Sequence, residues 1–188
     1  MKRLLATLII SVLSVPAVFA YSADTAVPRA SEKAMVLAGS KARFTVLTPQ
    51  LIRMEWSEDG VFEDRASLAF INRNLPVPDF KVSKTSRKVV IKTSELVLTY
   101  MIGDVPFDAS NLKVEFTTAG EKTLWTPGMD DKANLMGTTR TLDNVDGRLH
   151  TAKDPLEKGL VSRDGWAIVD DTKNYLMDED WWVTPRPD

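Results

Sequence analysis

Apolar residues return at every second position through much of this chain. Ala42-Arg43-Phe44-Thr45-Val46-Leu47 alternates up to the turn signal Thr48-Pro49. Leu51 to Trp56 then places Ile52, Met54 and Trp56 on one side and Arg53 and Glu55 on the other. Successive side chains of an extended chain point to opposite faces, so each stretch reads as a strand with one face buried. Glu58-Asp59-Gly60 closes the second strand with turn chemistry, and the two strands are expected to form a hairpin. Ser67 to Ile71 is a short apolar strand candidate, and Pro76 and Pro78 forbid a central strand just after it. Alternation resumes over Phe80 to Val82, Lys88 to Thr93 and Glu95 to Met101. In the last of these Leu96, Leu98 and Tyr100 share one face while Val97 and Thr99 occupy the other, a composition suited to a central strand. Leu112 to Phe116, Trp166 to Asp170 and Asn174 to Asp178 complete the expected strands, the last two as a hairpin.

Residues 126 to 159 break the pattern. Thr126-Pro127-Gly128, Asp143-Asn144-Val145-Asp146-Gly147 and Asp154-Pro155 are loop punctuation, and a loop this long inside a domain is commonly functional. Beyond the first twenty residues no helix longer than about two turns is expected from the periodicity. Short strands at this spacing predict an all-β fold, an antiparallel β-sandwich without a catalytic barrel.

The N-terminus has a different character. Lys2 and Arg3 precede an apolar run from Leu4 to Val15, Pro16 breaks it, and Val18-Phe19-Ala20 offers small residues for cleavage. Residues 1–20 therefore read as a signal peptide, 21–31 as a flexible leader and 32–188 as one β-sandwich domain. The expected location is periplasmic or secreted, with no membrane partner after cleavage. With no cysteine and one histidine in the chain, a zinc site lacks its usual ligands, and no cofactor is expected. The formal net charge is −2, or −4 once Lys2 and Arg3 are removed, which argues against a nucleic-acid partner. Lys81 to Lys92 is the one basic cluster, and it reads as the solvated face of a strand pair.

Four phrases, in order, resemble family 31 glycoside hydrolases. Thr48-Pro49-Gln50-Leu51-Ile52-Arg53-Met54-Glu55-Trp56-Ser57 is similar to a strand near the start of those enzymes, and Phe62-Glu63-Asp64-Arg65 to the segment that follows it. Leu135 to Asp143 resembles a Gly-Thr-Thr-Arg-Thr-Leu-Asp loop of the family, and Pro155 to Ala167 its Ser-Arg-Asp-Gly-Trp segment. The resemblance implies a galactose-mutarotase-like sandwich of an α-glucosidase-like enzyme, packed against a (β/α)₈ barrel that carries an Asp nucleophile and an Asp acid/base. Such a barrel takes roughly 250 residues, and the chain reaches Asp188 about where one would begin. The expected partners are accordingly that catalytic barrel, in cis or in trans, and an α-linked oligosaccharide. On this expectation the chain is a truncated form without the catalytic carboxylates; a free-standing carbohydrate-binding module is the alternative.

Retaining glycoside hydrolysis needs two carboxyl groups about 5 to 5.5 Å apart. Asp178-Glu179-Asp180 beside Trp181 and Trp182 is the richest acidic cluster, but neighbours on an extended chain face opposite ways, so a solvated edge is expected there. Asp170-Asp171 could offer oxygen ligands to Ca²⁺, yet a turn closing the 166–178 hairpin is the simpler reading. Arg163 and Asp164 are the candidate substrate-binding residues. The resemblance places such a pair near the sugar beyond the cleavage point, with Asp accepting from hydroxyls and Arg able to hold it through a charge-assisted fork. A structural ion pair fixing the loop is the alternative. Trp166 is expected in the core. Arg140 and Asp143 could pair with each other or contact the barrel. His150, without a second histidine, is expected at the surface and not as a proton-transfer group of an epimerase.

Overall fold

A computed structural model describes residues 29–137 and 158–186. The expected signal peptide, most of the expected leader, and Arg140, Asp143 and His150 lie outside the described residues.

Ten strands form three antiparallel sheets among the described residues. After a single 3₁₀ turn at Glu32–Ala34, β1 (Met35–Ala38), β2 (Ala42–Thr48) and β3 (Leu51–Trp56) make a three-stranded sheet in that order. Then β4 (Lys81–Lys84), β5 (Lys88–Lys92), β6 (Leu96–Met101), β7 (Leu112–Thr118) and β8 (Glu121–Trp125) make a five-stranded meander. A small pair, β9 (Leu176–Met177) and β10 (Val183–Thr184), stands apart.

The two larger sheets face one another as a β-sandwich. Phe44 and Val46 from β2, Val89 and Ile91 from β5, and Leu98 and Tyr100 from β6 are fully buried in one cluster. The Phe44 and Tyr100 rings meet edge-on at 5.5 Å, a favoured aromatic geometry, and Phe107 packs 5.3 Å from Tyr100. Side-chain ties cross between the sheets at two edges. Lys84 Nζ donates to Leu37 O at 2.9 Å, and Thr93 Oγ1 to Pro49 O at 2.6 Å.

The expected hairpin of β2 and β3 is present, with Phe44 paired to Met54 and Val46 to Ile52. The strand with two apolar faces, β6, is the middle one of its sheet. Three expectations are corrected. Ser67 to Ile71 is not a strand; only Ser67 pairs, in an isolated bridge to Leu176. Trp166 to Asp170 is not a strand either, so no 166–178 hairpin exists, and Ile168 and Val169 stay exposed for want of a pairing neighbour. Conversely, β1 and β8 were not expected. The first is a short apolar run without alternation, and the second shows only Thr123 and Trp125 on its inward side.

The outer side of the three-stranded sheet is covered as well. Every residue of β2 from Ala42 to Leu47 is buried, on both faces. On the outer face Arg43 forms a fork with Glu55, at 2.8 and 3.1 Å, and reaches Asp64 at 2.6 Å. Arg53 bonds Glu55 at 2.8 Å and Glu63 O at 2.8 Å. The Arg43 guanidinium also lies 4.8 Å from the Phe62 ring centre. Farther along, Arg73 is 2 % exposed and meets Asp171 at 3.3 Å, while Arg186 donates to the Asp171 carbonyl at 2.8 Å. Residues 62–64 thus cover this sheet through an ionic layer, and residues 170–186 bond in turn to residues 65–73.

Candidate functional site

Arg163 and Asp164 stand at the tip of a tight turn. Gly165 N donates to Ser162 O at 3.2 Å, which closes the turn, and Asp164 N donates to Ser162 Oγ at 3.1 Å. Gly165 has φ +72°, and a Cβ there would come within 2.4 Å of Thr118 Cγ2 on β7. Only glycine meets both demands without strain. The turn is therefore pressed against the five-stranded sheet.

A hydrogen-bonded knot fixes the base of the turn. Asp131, 5 % exposed, accepts from Ser162 Oγ at 2.7 Å and from Asn134 Nδ2 at 2.8 Å. Asn134 in turn accepts from Gly159 N at 2.9 Å and donates to Gly159 O at 3.0 Å. Main-chain bonds Arg163 N to Ala133 O and Leu135 N to Val161 O join the two segments as a short ladder. Burial opposes ionisation of Asp131, but the Ser162 and Asn134 bonds outweigh it and hold the carboxyl below its ordinary value.

The side chains of Arg163 and Asp164 are exposed, and neither forms an ion pair with a described residue. In particular they do not fork with each other, so neither the charge-assisted pair nor the loop-fixing pair exists between them. The loop is fixed instead by Asp131, Asn134 and Ser162. Trp166, just past the turn, is partly buried against the core cluster.

Beside the turn is an open cleft of about 130 Å³. Trp125, Trp166, Met129 and Ile168 supply its apolar walls, and Asp131, Asn134 and Lys158 its polar ones. Lys158 pairs with Asp130 at the surface. The cleft is smaller than the roughly 300 to 1,000 Å³ of small-molecule pockets, so by itself it offers one aromatic wall and a few fixed polar groups and does not enclose a ligand. Its polar residues were not singled out in the sequence. Asp130-Asp131 and Asn134 fall in an aperiodic stretch, and only the fold brings them to Ser162.

The acidic cluster is a turn. Asp178 Oδ1 accepts from the main-chain N of Asp180 at 3.0 Å and of Trp182 at 2.7 Å. It closes the β9–β10 hairpin, with Trp181 at φ +64°. Glu179 and Asp180 are exposed, and Trp182 is 73 % exposed. Asp170 accepts from Thr172 within its own turn, whereas Asp171 belongs to the ionic layer. Among the described residues no three acidic or histidine side chains gather as a metal ion would require.

Compared with known proteins, the chain matches no family model and no curated sequence.

Proposed function

We propose that this chain is the N-terminal β-sandwich of an α-glucosidase-like, family 31 glycoside hydrolase, and that the Ser162–Gly165 turn forms one wall of its sugar pocket. In this role Asp164 accepts hydrogen bonds from the hydroxyls of an α-linked oligosaccharide and Arg163 donates to them. The two catalytic carboxylates come from a (β/α)₈ barrel, in cis or in trans. One observation carries the reading: a charged pair stands exposed on a turn anchored by buried Asp131, beside a cleft walled by Trp125 and Trp166. The ordered resemblance of four sequence phrases and the antiparallel sandwich support the same assignment.

The chain alone is expected to cleave neither maltose nor aryl α-glucosides. Hydrolysis that follows this polypeptide through successive purification steps, and persists in an Asp164→Ala variant, would overturn the division of labour. The tryptophan-walled cleft also favours a second reading, a free-standing carbohydrate-binding module. Calorimetric titration with α-linked oligosaccharides separates the two. The module reading expects saturable heat from the chain by itself, weakened by Asp164→Ala. The sandwich reading expects heat only when a catalytic barrel is supplied.

A further inference from the structure

The outer face of the five-stranded sheet carries mainly positive charge. Strand register fixes which side chains share that face, because Val89, Ile91, Leu98 and Tyr100 point into the sandwich. Their neighbours point out. Lys81 lies opposite Lys92 in one row that continues through Val97, Glu115 and Leu124. Val90, Thr99 and Lys113 make the next row, Lys88 faces Met101 beyond it, and Lys122 faces Thr117 at the other end. Five lysines therefore stand against one acid, Glu115, which Lys113 binds at 3.2 Å. Lys81, Lys88, Lys92 and Lys122 are exposed and make no ion pair with a described residue.

This concentration runs against the chain's net charge of −2. The opposite side of the sandwich is weakly acidic: residues 62–73 and 170–186, together with Arg43, Arg53 and Glu55, hold eight acids against six bases. One molecule thus has a positive side and a negative side, which orients it near any charged surface.

We propose that the outer face of the five-stranded sheet docks on an anionic lipid bilayer. The lysines are spread in two dimensions, across strands spaced about 4.8 Å and over about 13 Å along β5. Spread of this kind matches a plane of headgroups. A linear polyanion would call for a single file of cations, and the lysines of this face do not form one. Half-exposed Met101 and Leu124, 44 % and 50 % exposed, sit among the lysines and can enter the headgroup layer as the lysine stems extend over it. Docking by charge requires no apolar segment beyond the first twenty residues, and it departs from the expectation of no membrane partner. The inference is independent of the sugar reading.

Sedimentation of the purified chain with vesicles tests it. Binding is expected to phosphatidylglycerol-rich vesicles, not to phosphatidylcholine vesicles, and to vanish near 0.5 M NaCl, where the screening length falls to a few ångströms. Lys81→Gln with Lys92→Gln is expected to lower the partition coefficient roughly thirtyfold, at about 1 kcal/mol per lysine. Glu115→Lys is expected to raise it, and Lys173→Gln, on the acidic side, to leave it unchanged. Equal uptake by neutral vesicles, binding indifferent to salt, or a lysine double variant that binds like the parent overturns the proposal. So does binding to soluble polygalacturonate without binding to vesicles.

Discussion

The two faces of β2 bury neighbouring residues by opposite means. Phe44 and Val46 enter an apolar interior where shape and van der Waals contact determine the packing. Arg43, the residue just before Phe44 and in register with Glu55, is 6 % exposed in a layer of guanidinium and carboxylate groups. The apolar side gains from nearly any hydrophobic residue of suitable volume. The ionic side gains only if each charge keeps its partner, because the cost of desolvating both ions nearly cancels their attraction. It consequently specifies which segment covers the sheet more than it adds net stability. Arg53 illustrates that cost. Burial, aided by repulsion from Arg73 and Arg43, brings its pKa down to about 10 despite Glu55.

The largest expected effects lie one residue apart. Arg43→Ala leaves Asp64 without its partner and Glu55 with Arg53 alone, and is expected to cost about 3 kcal/mol in urea unfolding. Phe44→Ala opens a cavity at a similar cost, about 3 to 5 kcal/mol. The pair diverges on rescue. Arg43→Met combined with Glu55→Leu and Arg53→Met, which removes all three linked charges, is expected to regain most of the loss, whereas no single partner change restores Phe44→Ala. If the triple variant is as unstable as Arg43→Ala, the contrast between the faces fails.

Acid should weaken one face before the other. The Arg65 hydrogen bonds hold the Glu63 carboxyl below its ordinary value, against an opposing burial effect. A depressed folded-state value contributes stability that is present above the unfolded-state pKa, about 4.3, and is lost as pH falls through the folded one. Unfolding midpoints are therefore expected to drop below about pH 4, and Glu63→Gln should flatten part of that slope. An unchanged slope in Glu63→Gln would show that the layer's protonation is not what acid attacks.

The smallest effect sharpens the picture at a hairpin. Ala119 and Gly120, at φ +50° and +85°, form the two-residue turn between Thr118 and Glu121. Alanine is strained there, so Ala119→Gly is expected to raise stability by about 0.5 to 1 kcal/mol, read as a higher melting temperature. A lower melting temperature would mean that unfolded-chain entropy outweighs the strain.

Alternation disclosed much of the apolar face. The β2–β3 hairpin, the inward rows of β5 and β6, and the central place of β6 follow from period-two spacing. The same signal misled at Trp166 to Asp170, because alternation shows what a segment could bury and not whether a pairing edge is free. Arg163 and Asp164 were visible through the phrase they share with a known family. Their support was not, since Asp131 reaches Ser162 across a stretch with no periodicity. The ionic layer was hidden for the same reason. Nothing near Arg73 in the chain points to Asp171, and each arginine alone looks like ordinary surface charge.

That last separation bears on how the molecule assembles. Arg73 and Asp171 stand 98 residues apart along the chain, while each strand of the meander pairs with its immediate neighbour. Closing the longer span costs more chain entropy before any contact repays it. The meander is thus the natural place for folding to begin, with the charged cover settling last and loosening first.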